Sequence, residues 1–545
     1  MPRVYQELAG EKGSHPYEAV NANHIYFQSI RPTNTTNKLY SSKGTLYFNT
    51  YPINGSCVVS TMPYLNGVSL TNINAGFETL TDESDALNSL LANTNEELTK
   101  LGLTTDTRII VNVEAKNEYI FLNSDIKVQD NQYLNFITPI VCGYGFSLRV
   151  EGSFSELPSA IDDSPVLLQD ASFTNTFDID SKDNDLSGWA VNDLISIRDL
   201  NEAKRYDAVI QSIIEYETGK YTITTNAIVQ EDFVIGDVVR RYKQSKLSQA
   251  LAQGECRIYL SDISAIATGD FIVVKSKYKA GDFQSYSYTH IETGKYLSYS
   301  NNDYKYQVCK VVQKATSSGY VIVDIPMAND YTIDETYILV LNQKQNVGID
   351  NLRVVSLQQG TQPRPNNHLV YINRCVDTIV RNITFTDMDK NITISKQHPY
   401  VDNIVQVRSS YGVNVENVNI TRWNKEDSAS GASYGLTCYY STNCLFTKIR
   451  ASSLRHNLLL QGCNYCKFTQ FQLDNVLISG CDLHGLNERF NDFNDFTISC
   501  SRDQNSLDIT NTTTGNSTIA LVRLGNSFHS TGSSFNSFRN FNLLN

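Results

Sequence analysis

The sequence predicts an all-β protein whose last 200 or so residues form a right-handed parallel β-helix, preceded by a short capping helix and a small β-rich N-terminal module. Three observations predict it. Short strand-like segments of two types alternate from residue 346 onward, at intervals of about 21 to 35 residues. The composition favours strands and turns, with 32 Tyr and 23 Phe against 4 Met and only 19 % charged residues. A leucine-striped helix stands directly before the first run of short strands, where an open solenoid end needs cover.

Residues 1–78 are punctuated by Gly, Asn and Pro, with apolar pieces at Gly44-Thr-Leu-Tyr-Phe48 and Cys57-Val-Val-Ser60, and read as a separate module. Residues 79–136 hold the capping helix and the first solenoid strands. Thr81 is its expected cap, and Asp82, Glu83 and Asp85 suit the positive end of its dipole. Leu87, Leu90, Leu91, Leu98 and Leu101 share one face, and Gly102 is the expected stop. Strands follow at Arg108-Ile-Ile-Val-Asn-Val113, Tyr119-Ile-Phe-Leu122, Ile126-Lys-Val128 and Tyr133-Leu-Asn-Phe136.

Residues 137–345 form strand blocks with Gly-Asp turns and contain a duplication. Asn192-Asp-Leu-Ile-Ser-Ile197 is echoed by Gly236-Asp-Val-Val-Arg240 and Gly269-Asp-Phe-Ile-Val-Val274. The stretch from Val209 to Tyr221 is echoed by the stretch from Val308 to Tyr320, so one strand unit is used twice. Between the copies, residues 278–306 carry a cluster of tyrosines, Tyr286 and Tyr288 among them. That segment reads either as a hydrated loop or as an aromatic platform for sugar rings.

Residues 346–545 carry the coils. One strand type recurs at Asn351-Leu-Arg-Val354, Asn382-Ile-Thr-Phe385, Asn417-Val-Asn-Ile420, Lys448-Ile449, Gln470-Phe-Gln-Leu473, Asp495-Phe-Thr-Ile498 and Asn540-Phe-Asn-Leu543. The second lies between them, at His368-Leu-Val-Tyr-Ile372, Asn403-Ile-Val-Gln-Val407, Gly435-Leu-Thr-Cys-Tyr439, Asn457-Leu-Leu-Leu460, Leu486-Asn-Glu-Arg-Phe490 and Ile519-Ala-Leu-Val522. One longer gap is expected to hold an additional coil. A propeller, with about 40 to 45 residues per blade, does not fit the period.

Several function classes are excluded or disfavoured. A net charge of -12 argues against nucleic acid, which needs clustered Lys and Arg. The N-terminus lacks the pattern of a secretory signal, and no apolar run suits membrane insertion. The 11 cysteines have no framework spacing, and Cys463-Asn-Tyr-Cys466 stands without a second CxxC or a His at ligand spacing. Reduced, buried thiols are expected, with no metal and no cofactor.

The helix and strands at 82–136, the Gly-Asp blocks at 236 and 269 and the coils from 346 to 545 together resemble bacteriophage tailspikes, of the pectin-lyase-like β-helix group. That resemblance implies a homotrimer at the virion tail. Its N-terminal module would join a tail or baseplate protein, and its helix would bind, and often cleave, a bacterial surface polysaccharide: capsule, lipopolysaccharide or exopolysaccharide. The chain departs from many such proteins in ending on coil-like residues 535–543, with no clear C-terminal trimerisation domain.

Alignment of the coils places inserts at one corner, at 357–367, 387–402 and 422–434, which are expected to stack into a loop wall. Two shorter turns beside them, at Arg455-His456 and Asp482-Leu-His-Gly485, form the expected floor. Registering Leu458 on Leu486 puts His456 over His484. Either the two rings form a polar ladder or they transfer protons, with Asp482 orienting them and Glu488 and Arg489 on the next strand. Glycosidic hydrolysis needs two carboxyl groups, for which Asp387, Asp389, Glu426, Asp427, Asp482 and Glu488 are candidates. A lyase needs a base and a charge neutraliser, which His456, His484, Arg455 and Arg489 supply. Trp423, at the start of the insert that holds Glu426 and Asp427, is either core, if buried in a coil, or, if exposed in the loop, the best single sugar-stacking candidate.

A phage receptor-binding protein is the leading reading, with or without depolymerase activity. The alternatives are a free polysaccharide lyase or glycoside hydrolase of the pectin-lyase-like fold, and a ligand-free structural rod. The last leaves the one-sided inserts unexplained.

Overall fold

The computed structural model describes residues 39–42, 45–48, 51–53, 57–61, 65–69, 80–100 and most of 108–544. Outside the described residues within that last span lie 144, 159–161, 183, 185, 187, 201–203, 227, 230–231, 280–286, 290–295, 299–303, 357–367, 388–402, 422–433, 455, 477–478, 484–486, 500–519 and 525–534.

The chain is an all-β right-handed parallel solenoid with antiparallel modules set into it. Its long sheet runs through Cys57–Thr61, Arg108–Val113, Gln132–Phe136, Gly348–Asp350, Ile379–Asp387, Asn414–Thr421, Leu445–Ser452, Lys467–Asp474, Asp492–Ser499 and Ser537–Leu544. A shorter sheet runs through Ile126–Lys127, Leu148–Glu151, His368–Asn373, Asn403–Arg408, Tyr434–Tyr439, His456–Gln461, Ser479–Leu483 and Ala520–Leu524. Single-residue parallel bridges, Val376 to Tyr411 to Thr442 to Asn464 to Arg489, make a narrow third face.

The recurrent first residue of the long-strand motif has a backbone reason. Asn351, Asn382, Asn417, Lys448, Gln470, Asp495 and Asn540 all sit at φ between 54° and 60°, so each long strand bends there through a left-handed residue. Asparagine tolerates that conformation best among residues with a Cβ. The expected additional coil is absent: Asp492–Ser499 pairs directly with Ser537–Leu544, and Ser479–Leu483 with Ala520–Leu524. The extra chain length falls in 500–519 and 525–534.

The helix Ser84–Lys100 covers the first coils. Leu87 and Leu91 are fully buried in the solenoid core. The Asn88 side chain donates to the Asp125 carbonyl at 2.7 Å and accepts from the Lys127 amide at 3.0 Å, which satisfies an otherwise open strand edge. Asp82, rather than Thr81, makes the cap, accepting from the Ser84 amide at 3.0 Å and its hydroxyl at 2.6 Å. The solenoid begins earlier than residue 79, since Cys57–Thr61 is already paired in the long sheet.

Solenoid strands also extend beyond residue 136, because Ile140–Cys142 and Leu148–Glu151 pair with later coils. The antiparallel insertion therefore lies between Glu151 and Lys344. It holds two barrels with one strand order. The first closes through Val166–Leu167, Thr176–Asp180, Lys220–Thr225, Arg205–Glu217, Leu194–Arg198 and Val238–Tyr242. The second repeats that order with Gln244–Lys246, Arg257–Tyr259, Tyr320–Val323, Tyr304–Ala315, Phe271–Lys279 and Thr336–Asn342, closed by the Leu247–Leu260 bridge. The echoed turns are one structure: Asp193, Asp237 and Asp270 each accept the amide three residues before, at 2.9, 2.8 and 2.8 Å.

The second barrel packs on the narrow third face. Phe271, Tyr306, Val308 and Leu339 meet Val376, Tyr411 and Tyr440, and the Val308 amide donates to Thr442 Oγ1 at 3.0 Å. The nine cysteines whose side chains are described form no disulfide, and eight of them are buried.

Candidate functional site

The structure joins two of the expected catalytic residues, His456 and Asp482, and gives Glu488 and Arg489 other partners. His456 and Asp482 lie on neighbouring strands of the short sheet, with His456 Nδ1 3.1 Å from Asp482 Oδ2. The Ser479 hydroxyl meets the same ring nitrogen, and the Tyr434 ring stacks on the imidazole at 5.1 Å. Both of these polar contacts are made at Nδ1. His456 is 3 % exposed and Asp482 is fully buried.

The expected register of this corner is corrected. Leu458 pairs with Cys481, not Leu486, and His456 lies over Ser479, so the strand of this coil is Ser479–Leu483. Glu488 is buried and accepts the Gly462 amide at 3.0 Å. Arg489 reaches the second barrel instead, with Gln253 Oε1 at 3.3 Å and the Ala328 carbonyl at 3.4 Å. His484, Arg455, Trp423, Glu426, Asp427, Asp387's side chain, Asp389 and Tyr286 lie outside the described residues. Tyr288 lies in the strand Ser287–Thr289, paired with Tyr296–Ser298.

Two surfaces stand out that sequence reasoning missed. The first is a groove of about 650 Å³ along the outside of the long sheet, lined by Asn135, Asn351, Asn382, Asn417, Asn419, Thr384, Arg353 and Ile137. Its floor is an amide ladder: Asn351 donates to Asn135 at 2.7 Å and Asn417 to Asn382 at 2.7 Å, while Asn382 donates to Asp350 at 2.8 Å. Arg353, Thr384 and Asn419 stand in register on three successive coils. The left-handed column that builds the bend thus also lines the groove. Its only sequence signal is the asparagine heading the long-strand motif in these coils, Asn351, Asn382 and Asn417.

The second surface is a group of cations where the insertion meets the solenoid. Lys275, from the second barrel, is within electrostatic reach of Arg374 and Arg408 of the solenoid and of Asp207 of the first barrel. Burial pushes the Lys275 ammonium down to about 8, with Arg374 and Arg408 lowering it further and Asp207 opposing them. The folded value lies below the ordinary 10.5, so the unfolded chain holds more protons between the two. Stability contributed through this lysine therefore rises from about pH 8 to 10.5, and the penalty for its charge is in force below that window. Lys275→Met should accordingly raise the thermal midpoint at pH 7, and the gain over wild type should shrink by pH 10. Parallel melting curves across that range test this, and a difference independent of pH would refute it.

No protein-family model matches the chain, and comparison with curated proteins finds no match. Solved structures with a similar course include the Gp54 tailspike of Acinetobacter baumannii bacteriophage AP22, in complex with A. baumannii capsular saccharide, at 12 % identity and TM-score 0.35, over 76 % of this chain and 55 % of that one. The gp49 tailspike of Pseudomonas phage LKA1 aligns at 11 % identity and TM-score 0.35, over 74 % and 52 %. The gp61 tailspike of Pseudomonas phage phi297 aligns at 11 % and 0.31, over 79 % and 55 %. This chain spans about half the length of each.

Proposed function

We propose that this chain is a tailspike-type receptor-binding protein that holds a bacterial surface polysaccharide along its solenoid. The amide-lined groove carries the reading. Successive coils present similar polar groups about 4.8 Å apart, so the groove offers a repeating hydrogen-bonding surface to a repeating polymer. Asn, Thr and Arg supply donors and acceptors suited to hydroxyls, and the groove's open course along the sheet admits an extended chain.

In this reading the protein works at a virion tail as a homotrimer, with the residues before the first solenoid strand at Cys57 joining a tail or baseplate protein and the ligand being capsule, lipopolysaccharide or exopolysaccharide. Depolymerisation is the finer question. His456 and Asp482 remain the pair to substitute first, and oligosaccharide release from a bound polymer, lost on that substitution, would add hydrolase or lyase activity to recognition.

The test is retention of the protein on immobilised polysaccharides extracted from a broad set of encapsulated bacteria. At least one polymer should be bound. Arg353→Gln with Asn419→Ala should weaken that binding about fivefold or more, one hydrogen bond being worth about 1 kcal/mol. These positions avoid the left-handed column, so the fold is preserved. Failure to retain any bacterial polysaccharide, or equal retention of the double variant, would remove the groove from the proposal.

A further inference from the structure

We propose that Arg374, Arg408 and Lys275 form a subsite for the carboxylate of an acidic sugar, at the junction between the inserted barrels and the solenoid. The inference rests on the polysaccharide-binding reading and names a substrate class for it.

Arg374 and Arg408 occupy the same corner of consecutive coils. Asn373 pairs with Arg408, and the Arg374 amide donates to the Arg408 carbonyl at 3.0 Å. Arg374 adopts φ 54°, and its guanidinium lies over the Phe154 ring at 4.5 Å. Its Nε is buried without a hydrogen-bond partner. Arg408 lies 6.0 Å above the Tyr440 ring. Among the described residues neither arginine forms an ion pair, and each is only partly buried. Lys275 comes to them from a different module: it follows Phe271 and Val273, which pack on the solenoid, along the same strand and pairs with Tyr306 of that cluster.

Asp207, which acts on Lys275 from the first barrel, also accepts the Tyr242 hydroxyl at 2.6 Å. Two arginines that form no ion pair among the described residues thus stand beside a lysine, in a chain whose net charge is -12. Bringing like charges together and partly out of water is unfavourable, and an incoming anion relieves it. Two guanidiniums on adjacent coils match a planar carboxylate, which each binds through paired N–H donors. The Tyr440 ring under Arg408 packs in turn on Tyr306 at 5.3 Å, which fixes the position of that arginine from the barrel side. A neutral sugar would leave the cations uncompensated.

The test uses the full chain with oligogalacturonate and its neutral methyl ester as probes, titrated calorimetrically at low and at moderate salt. The acid should bind about tenfold tighter than the ester, and salt should erode the difference. Arg374→Gln and Arg408→Gln should each abolish most of that preference, while Arg408→Lys keeps part of it. The acid-against-ester comparison needs no variant, so a folding defect in one cannot rescue the proposal. Equal affinity for acid and ester, or a preference untouched by both glutamine variants, overturns the subsite. If neutral bacterial polysaccharides are still retained on the groove, the broader reading survives that result. Binding of neither probe and of no bacterial polymer overturns both.

Discussion

Replacing Glu156 by alanine is expected to cost about 3–5 kcal/mol, because it strands two guanidiniums that are buried with it. Its carboxylate takes Arg198 at 2.6 Å and Arg240 at 3.2 Å, and accepts the Ser196 hydroxyl at 3.0 Å. The three charged side chains are 3 %, 10 % and 8 % exposed, so water cannot replace the missing oxygens. Glu156 sits on the strand Glu156–Leu157, which pairs with Val238–Tyr242 just after the chain leaves the solenoid. The charge triad therefore fastens the first barrel at its point of attachment. Trp189 packs against the core of that barrel and is one of only 2 tryptophans, so its fluorescence reports the barrel's unfolding. An early fluorescence transition is expected in Glu156→Ala, with Glu156→Gln falling between it and wild type. Coincident melting of the alanine variant and wild type would show that the arginines find other partners.

The solenoid is legible in the sequence because a backbone requirement repeats in it. Asn351, Asn382, Asn417 and Asn540 mark a left-handed bend, and the alternation around them gives the face of each strand. The register at His456 is less legible. Leu486-Asn-Glu-Arg-Phe490 has the alternation of a strand, whereas the paired strand Ser479–Leu483 opens on two small residues. Gly480 is small for packing reasons: a Cβ there would come within 2.5 Å of Ile498 Cγ2 and 2.7 Å of the Leu521 carbonyl. A glycine that packing demands looks, in one sequence, like a glycine that a turn demands. The duplication is visible as repeated Gly-Asp turns, but barrel closure depends on Leu194–Arg198 pairing with Val238–Tyr242, which no local pattern encodes. The cation group is invisible for the same reason, since Lys275 reaches Arg374 and Arg408 only through the docking of a barrel on a solenoid. Stacking of the coils is what sequence periodicity reports; the placement of an insertion against them is not.

Coil stacking should also make the cost of a core substitution depend on how many coils flank it. Phe468 stacks on Phe446 at 4.8 Å and on Phe493 at 4.9 Å, with ring planes within 9° of parallel, and all three rings are fully buried. Phe493 stacks in turn on Phe538 at 4.7 Å, but Phe538 belongs to the last strand of the sheet and is 37 % exposed. Beside this column runs a second, Phe471 on Phe496 on Phe541, at 4.6 and 4.7 Å. Edge-to-face contacts tie the two columns together, Phe468 to Phe471 at 6.2 Å and Phe493 to Phe496 at 6.0 Å. Phe468→Ala removes a ring from between two others and leaves a cavity that rigid coils on both sides cannot close, so about 3–5 kcal/mol is expected. Phe538→Ala removes a half-exposed ring with one stacking neighbour, and about 1 kcal/mol or less should be lost, most of it packing on Phe493. Far-ultraviolet circular dichroism, which follows the strands, should show a lower midpoint for the first variant and little change for the second. The same comparison bears on function. Asn417 and Asn419 are carried by Asn414–Thr421, which pairs directly with the strand of Phe446, one coil from the cavity. Polysaccharide retention by Phe468→Ala below its melting point should nevertheless match wild type, because the left-handed bend that sets the groove is a backbone feature of each coil. A loss of retention in the folded Phe468→Ala protein would mean that the groove's geometry is held by the core stack and not by the bend.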